Sequence, residues 1–340
     1  MDELEAEQLG RVLDHYDLGR LESIERIKRG YVNQNWALRT SSGHYFFKKR
    51  HPSLSEPAIV AAQHSLIQRV RRAGFPAPVI LPSSSGNTFL ILDGNCYEVQ
   101  SFIQGSFCDP ANMAHLQQAA LTLAYYHSCV TGFDPPPPLR QGQLYSANVA
   151  GTALSALYDA WDLGHAAEIA PLVDRLGGHS SDLASRLEQY DRLPQLVIHG
   201  DYYADNLLFD RDRVVGVVDY DKARWEARAV ELAEALIYFA SPSPARLKFL
   251  VYPGVLEWEP FSLFLHGYAE RGVLNSAEIA TIPDLISSIW LTVSLRLALK
   301  DHPVRPAEAE PFLEELITLM DWAQENRNRI IELGQDCQAL

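Results

Sequence analysis

The spacing of apolar residues changes character part-way along the chain. Leu4 to Tyr16 has helical spacing, and from Ile24 to Lys49 apolar and polar residues alternate with the period of two that marks a half-buried strand. The segment RTSSGHY inside that stretch predicts a hairpin turn. Pro57 to Ala73 returns to helical spacing, with Ala61, Leu66, Ile67 and Val70 on the apolar side and Gly74 as the stop. FPAPVILP then leads into two more strands, NTFLIL and YEVQSFI, joined by a turn at DGN. Residues 1–104 thus predict a small, mainly antiparallel β lobe with one internal helix.

After Gly105 the helical period dominates. It recurs at Ala111 to Ser128, Ala153 to Ile169, Ser181 to Tyr190, Ala229 to Phe239, Pro260 to Arg271, Ile282 to Leu299 and Glu308 to Leu333. FDPPPPLR at 133–140 predicts a rigid, extended loop. A short connector near Phe102 to Phe107 separates the two parts, so residues 105–340 form a larger, mainly helical lobe. The fold class is α+β, in two unequal lobes. Within the helical part, the short β-branched runs of QLVIHGDYYADNLLFDRDRVVGVVDYD, Gln195 to Asp221, read as strands.

Composition narrows the function more than the fold. A chain of 340 residues, 47% hydrophobic and 21% charged, is an ordinary globular protein with room for two packed lobes. Its 29 basic and 43 acidic residues leave a net charge of −14 and a pI near 5.2, which argues against a nucleic-acid partner. Cys96, Cys108, Cys129 and Cys337 are scattered without a CxxC pair, which disfavours zinc and suits a reducing compartment. MDELEAEQLG has no apolar core, so it is not a signal peptide. LISSIWLTVSLRLALK is interrupted by Arg296 and is short for a bilayer. A cytoplasmic protein with no membrane partner is expected, its oligomeric state open.

Four aspartates, Asp201, Asp205, Asp219 and Asp221, lie beside apolar runs, where a carboxylate is costly unless paired or bound to a cation. Residues two apart on a strand point to the same face, so Asp219 and Asp221 leave the end of RVVGVVDYD on one side. LVIHGD delivers Asp201 at the end of another run, and NLLFDRDRVVGVV folds back as a hairpin turning at Asp210 to Arg213, bringing Asn206 near Asp219. An amide oxygen and one or two carboxylates suit magnesium that also holds substrate phosphates, which leaves Asp201 free to take a proton from an attacking hydroxyl. That is the inventory phosphoryl transfer requires. Asp205, Asp210 and Asp212 read as solvated loop residues.

HGDYYADNLLF…VVDYD resembles the phosphotransferase signature of the aminoglycoside phosphotransferase and choline kinase superfamily, which has a two-lobed protein-kinase-like fold. The resemblance implies Asp201 as catalytic base, Asn206 and Asp219 as magnesium ligands, Asp221 as a second acid counted with them at the metal, and His199 as a structural support of the catalytic loop. It implies ATP and Mg2+ as cofactors. LDHYDLGRLESIERIKRGYVNQNWALRTSSGHYFFKK further resembles the amino terminus of type II homoserine kinases. There the GxxNxN-aromatic turn covers the ATP phosphates, which points to Gly30, Asn33 and Asn35. Lys48 stands where the superfamily places its phosphate lysine; Lys49, on the opposite strand face, is the alternative. VQSFIQG matches the adenine hinge at Ser101, Phe102 and Ile103.

Two departures accompany the resemblance. The helix that should offer a glutamate to Lys48 carries Gln63 and His64 there, with Glu56 slightly upstream, so a neutral partner or the nucleotide alone is expected to hold Lys48. AVELA places Glu231 where many members have Asp, in a structural role. HGD and DYD look closer to the antibiotic and amine kinases than to homoserine kinase. The acceptor is therefore open among homoserine-like amino alcohols, amino sugars or aminoglycosides, and choline-type amines. A Ser/Thr protein kinase of the same fold and a catalytically silent nucleotide-binding module are the alternatives. Tyr202, Tyr203, Arg224 and Trp225 are candidate acceptor contacts, whereas Trp161, Trp258, Trp290 and Trp322 read as core.

Overall fold

The computed structural model describes residues 6–28, 32–140, 144–145, 147–160, 169–241, 255–299 and 308–338. The small lobe is an antiparallel sheet of β1 (Leu21–Ile27), β2 (Gln34–Thr40), β3 (Gly43–Lys49), β4 (Ile80–Leu81), β5 (Leu90–Leu92) and β6 (Asn95–Ser101). Its order is β1-β2-β3-β6-β4, with β5 also on β6. Asp93 and Gly94, at φ 49° and 72°, turn β5 into β6, the left-handed pair that a two-residue hairpin needs. Trp36, Leu38, Phe47, Tyr97 and Val99 pack on Leu9 and Val12 of helix α1 (Ala6–Leu13) to make this lobe's own core.

Helix α2 (Pro57–Arg72) belongs to both lobes. Its Leu66, Ile67 and Val70 join the core of the larger lobe, not that of the sheet it is threaded through. Ala61, expected on the apolar side, is exposed, and Gln63 and His64 are 1% exposed. The helix thus buries two polar residues that a hydrophobic count assigns to solvent.

In the larger lobe, α3 (Met113–Val130), α4 (Ala147–Ala160) and α5 (Ala170–Arg186) precede a set of short strands. These are β8 (Gln195–Ile198), β9 (Leu207–Asp210), β10 (Arg213–Val217) and β11 (Arg224–Ala227). Strand β7 (Ser106–Phe107), which the sequence pattern did not mark, pairs with β9 of the β9–β10 hairpin, and β11 pairs with β8. Helices α6 (Arg228–Ala240), α7 (Trp258–Ala269), α8 (Ser276–Leu299), α9 (Ala309–Glu325) and α10 (Arg327–Gln338) complete the chain.

Three helices differ from the sequence expectation. The pattern from Glu308 to Leu333 is two helices, because the chain turns at Asn326, whose side chain donates to the Trp322 carbonyl. Helix α5 begins well before Ser181 and runs through Gly177 and Gly178, since buried Val173, Leu176 and Leu183 outweigh the poor helix propensity of that pair. At 24 residues α8 is long and apolar enough to cross a membrane by length and composition, contrary to the shorter segment read from the sequence. It is instead packed into the core, with 72% of its most apolar stretch buried. Trp290 of α8 is fully buried beside Trp322, ring centroids 5.8 Å apart, and Trp258 meets Trp322 at 5.5 Å. Trp161 lies outside the described residues. Trp290→Ala should destabilise the protein by about 3–5 kcal/mol, measured by denaturant unfolding; a loss under about 1 kcal/mol would mean that this aromatic cluster is not the packing centre.

Candidate active site

Strand β8 buries Leu196, Val197 and Ile198, and the chain leaves the core at Gly200 with φ +74°. A β-carbon there would lie 2.3 Å from the Lys222 carbonyl oxygen, so only glycine fits. The Gly200 N–H donates to Glu231 Oε1 at 2.7 Å, and Glu231 Oε2 lies 2.8 Å from His127 Nε2. His127 Nδ1 is in turn 2.7 Å from the Tyr268 hydroxyl. Burial disfavours the Glu231 carboxylate, but the His127 bond and charge outweigh it and hold the pKa below the usual value. His199 Nε2 donates to the Val218 carbonyl at 3.1 Å, and burial lowers its pKa, so it is a neutral strut under the loop. Tyr202 also faces inward: it is 2% exposed and its hydroxyl donates to the Ala119 carbonyl, which removes it from the acceptor contacts. Tyr203 is the half-buried one, 5.4 Å from the ring of Tyr238.

Past this loop Asn206 opens the β9–β10 hairpin, and the Val218 N–H donates to its carbonyl at 3.0 Å, so the two ends of the hairpin are adjacent. The Asn206 side-chain N–H donates to the Asp201 carbonyl at 2.9 Å and to Asp201 Oδ2 at 3.3 Å. Lys222 Nζ, which the sequence reading had not singled out, is 2.7 Å from Asp201 Oδ1. Asp219 and Asp221 do converge on one place, but not as two positions on one strand face. Strand β10 ends at Val217, and Asp219 sits in the left-handed region at φ +64°. The turn leaves the Asp219 side chain 39% exposed and sends that of Asp221, 7% exposed, behind it.

Lys48 on β3 reaches this pair. Its Nζ is 3.2 Å from Asp219 Oδ1, 3.2 Å from both oxygens of Asp221 and 3.7 Å from Glu98 Oε1. Burial works against the ammonium, but these three carboxylates outweigh it and raise the pKa. Lys49 points to the other face, 6.0 Å from the Tyr97 ring centroid. The expectation of a neutral partner for Lys48 is corrected: Glu98 comes from β6, directly opposite Lys48 in the sheet register, not from α2. Glu56 caps α2 by accepting from the Ile59 N–H. Gln63 instead bridges Arg50 Nη1, at 2.9 Å, and the Asp221 carbonyl, at 2.8 Å.

The phosphotransferase enzyme family matches residues 23–260, about two thirds of the chain and every residue of this constellation except Tyr268. The chain belongs to that family. This phosphotransferase is 28% identical over 282 residues to the homoserine kinase of Methylorubrum populi, covering 82% of this chain and 81% of that protein. In structure it resembles the amicoumacin kinase hAmiN, solved in complex with AMP-PNP, Ca2+ and Ami, at TM-score 0.66 and 16% identity over 96% of this chain and 94% of that one. It also resembles the microcompartment-associated aminopropanol kinase at TM-score 0.64 and 15% identity, over 96% and 98% of the two chains. The fold is that of the protein-kinase-like two-lobed enzymes, and the protein is a small-molecule kinase.

The remaining positions expected in this phosphotransferase's site divide sharply. Gly30 lies outside the described residues. Asn35 faces Lys48 across the β2–β3 ladder, whereas the Asn33 side chain donates to Asp221 Oδ2 at 2.6 Å and is already committed there. At the hinge the Ser101 N–H donates to the Val79 carbonyl and the Phe102 N–H to that of His44, so neither backbone donor faces outward. Phe102 stacks on His44, and Ile103 lies against Gly216 of β10. Arg224 is not a cleft-lining residue: it is 8% exposed, with Glu226 at 3.7 Å and Glu234 at 3.5 Å. Trp225 is half-buried beside Arg140. Asp210 and Asp212 are exposed, while Asp205 is half-buried. Gly200→Ala should cost at least the 1–2 kcal/mol of a left-handed non-glycine residue, roughly, plus the clash with Lys222. It should lower both the thermal midpoint and turnover; an unchanged midpoint would refute the tight approach of these two segments.

Proposed function

We propose that the protein transfers the γ-phosphoryl group of ATP, with Mg2+, to the hydroxyl of a small amine-bearing molecule. The observation that supports this best is the meeting of the two lobes at one polar place: Lys48 pairs with Asp219, while Asn206 bonds Asp201 and its carbonyl holds Val218, the residue just before Asp219. Asp201 is the base: held between Asn206 and Lys222, it takes the hydroxyl proton as the acceptor oxygen attacks the γ-phosphorus and the bond to the β-phosphate oxygen breaks, releasing ADP. Lys48 has the reach and the fixed charge for phosphate oxygens, and Ile103 is the hinge residue best placed to meet adenine through its backbone. Asn206 and the half-exposed Asp219 would hold the metal. The Asn206 amide nitrogen is turned to Asp201, which gives its oxygen to a cation, and the surplus of carboxylates over cations at this point suits one. Mg2+ there would neutralise phosphate charge.

The acceptor is read from kinship. The aminopropanol kinase and homoserine kinase among the similar proteins, whose named substrates each carry an amine and a hydroxyl, support an amine-bearing acceptor. We place the acceptor among homoserine-like amino alcohols, amino sugars and choline-type amines, with the cytoplasm as its compartment.

Two measurements test this reading. Asp201→Asn should keep the fold and nucleotide affinity but lower turnover on an amino-alcohol panel by about two to four orders of magnitude; turnover within a few-fold of the parent would remove Asp201 from the base role. Asp219→Ala should abolish most of the Mg2+ dependence of ATP-analogue binding, followed by titration with and without the metal. An unaltered dependence would place the metal elsewhere.

A further inference from the structure

Arg50 stands two residues beyond Lys48 in the chain, and its side chain is 2% exposed. Its donors reach four separate segments. Nε donates to Glu98 Oε2 on β6 at 2.9 Å, and Nη1 to the Leu54 carbonyl and to Gln63 Oε1 on α2, both at 2.9 Å. Nη2 donates to Asp221 Oδ1 at 2.6 Å. Gln63 closes the ring by donating to the Asp221 carbonyl at 2.8 Å. Glu98 is further held by His64 of α2, 2.9 Å away, and by Gln100 at 2.8 Å.

We propose that Arg50 is a positioning residue for phosphoryl transfer: it fixes the loop carrying Asp219 by clamping Asp221 to α2 and β6, which makes Asp221 a strut and not a metal ligand. Both oxygens of Asp221 are engaged, Oδ1 by Arg50 and Lys48, Oδ2 by Asn33 and Lys48. A carboxylate so enclosed has little left for a cation. The exposed Asp219, two residues earlier, is the one turned outward.

The clamp matters most once Lys48 is drawn away, a step that rests on the proposed use of Lys48 for ATP phosphates. Lys48 now serves Asp219, Asp221 and Glu98 together. If phosphates take it, Asp221 and Glu98 each lose a cation in a buried place, where an uncompensated carboxylate is costly. Arg50 touches both, so it keeps them paired and in position while Lys48 changes partners. A lysine could not do this, because one ammonium cannot present the planar fork that meets Glu98, Gln63 and Asp221 at once.

The test uses the full chain with three variants, Arg50→Lys, Arg50→Met and Gln63→Leu. In the absence of nucleotide, amide exchange across residues 218–222 should quicken at least tenfold in Arg50→Met. In Arg50→Lys and Gln63→Leu it should quicken by a smaller factor. With ATP and an accepted amino alcohol, kcat should fall at least tenfold in both Arg50 variants while the KM for the alcohol stays within about twofold. The Mg2+ concentration for half-maximal turnover should rise. Arg50→Lys failing to restore kcat is the mark of positioning rather than charge. A merely structural Arg50 would lower the thermal midpoint but leave kcat per folded molecule and the Mg2+ requirement unchanged, and that result overturns the proposal. So does unaltered exchange at 218–222. If Arg50→Met does not fold, Arg50→Lys and Gln63→Leu decide by the same two readouts. If the parent protein transfers no phosphoryl group from ATP, the functional reading fails, while the exchange data still decide whether Arg50 holds the loop.

Discussion

Everything at the junction of the lobes depends on keeping buried charges paired. Lys48, Arg50, Glu98 and Asp221 each have side chains under 10% exposed, and removing any one would strand another. This requirement fixes the register of β3 against β6, because Lys48 must lie opposite Glu98. It fixes the depth of α2, because Gln63 and His64 must meet Arg50 and Glu98. It also fixes the loop after β10, because Asp221 must reach cations carried by the other lobe. The electrostatics thus determine the geometry here as much as the apolar cores do.

That dependence explains what the sequence disclosed. Local periodicity was enough to find the hairpin that brings Asn206 beside Val218 and to separate Lys48 from Lys49, since both follow from strand geometry alone. The signature around Asp201 carried the family, which its match over residues 23–260 shows. The partners of Lys48 were not legible, because they come from sequence separations of 50 to 173 residues. A signal was nevertheless present. Arg50 lies two residues beyond Lys48, just past the end of β3, and Glu98 is the one acid in an otherwise apolar and neutral strand, NCYEVQS, which is an expensive place for an acid without a cation opposite.

Asp219 and Asp221 show the limit in a different way. The alternation argument reached the right meeting point through the wrong geometry. The strand stops at Val217, and a left-handed Asp219 turns its own carboxylate outward while Asp221 turns in. Two acids that a strand would have made equivalent become unequal, one exposed and one enclosed. The inequality leaves one carboxylate facing outward and makes the other an inner anchor. Only a backbone in the left-handed region, which asparagine, aspartate and glycine tolerate best, produces it.

The larger lobe repeats the same logic at the back of the loop that carries Asp201. Glu231 accepts from the Gly200 N–H and is balanced by His127, so the loop that presents Asp201 is hung from α6 by a carboxylate that cannot move without stranding its own charge. Three residues along the same helix, Glu234 is not so well matched. It shares Arg224 with Glu226, and among the described residues two of the Arg224 nitrogens, Nε and Nη2, have no hydrogen-bond partner. One helix therefore carries an acid that supports the Asp201 loop and, a turn away, another held by Arg224 and Tyr145. The first gives rigidity, which a transfer step needs for alignment. The second ties α6 to β11 through Arg224, so both supports of this loop run back to the same helix.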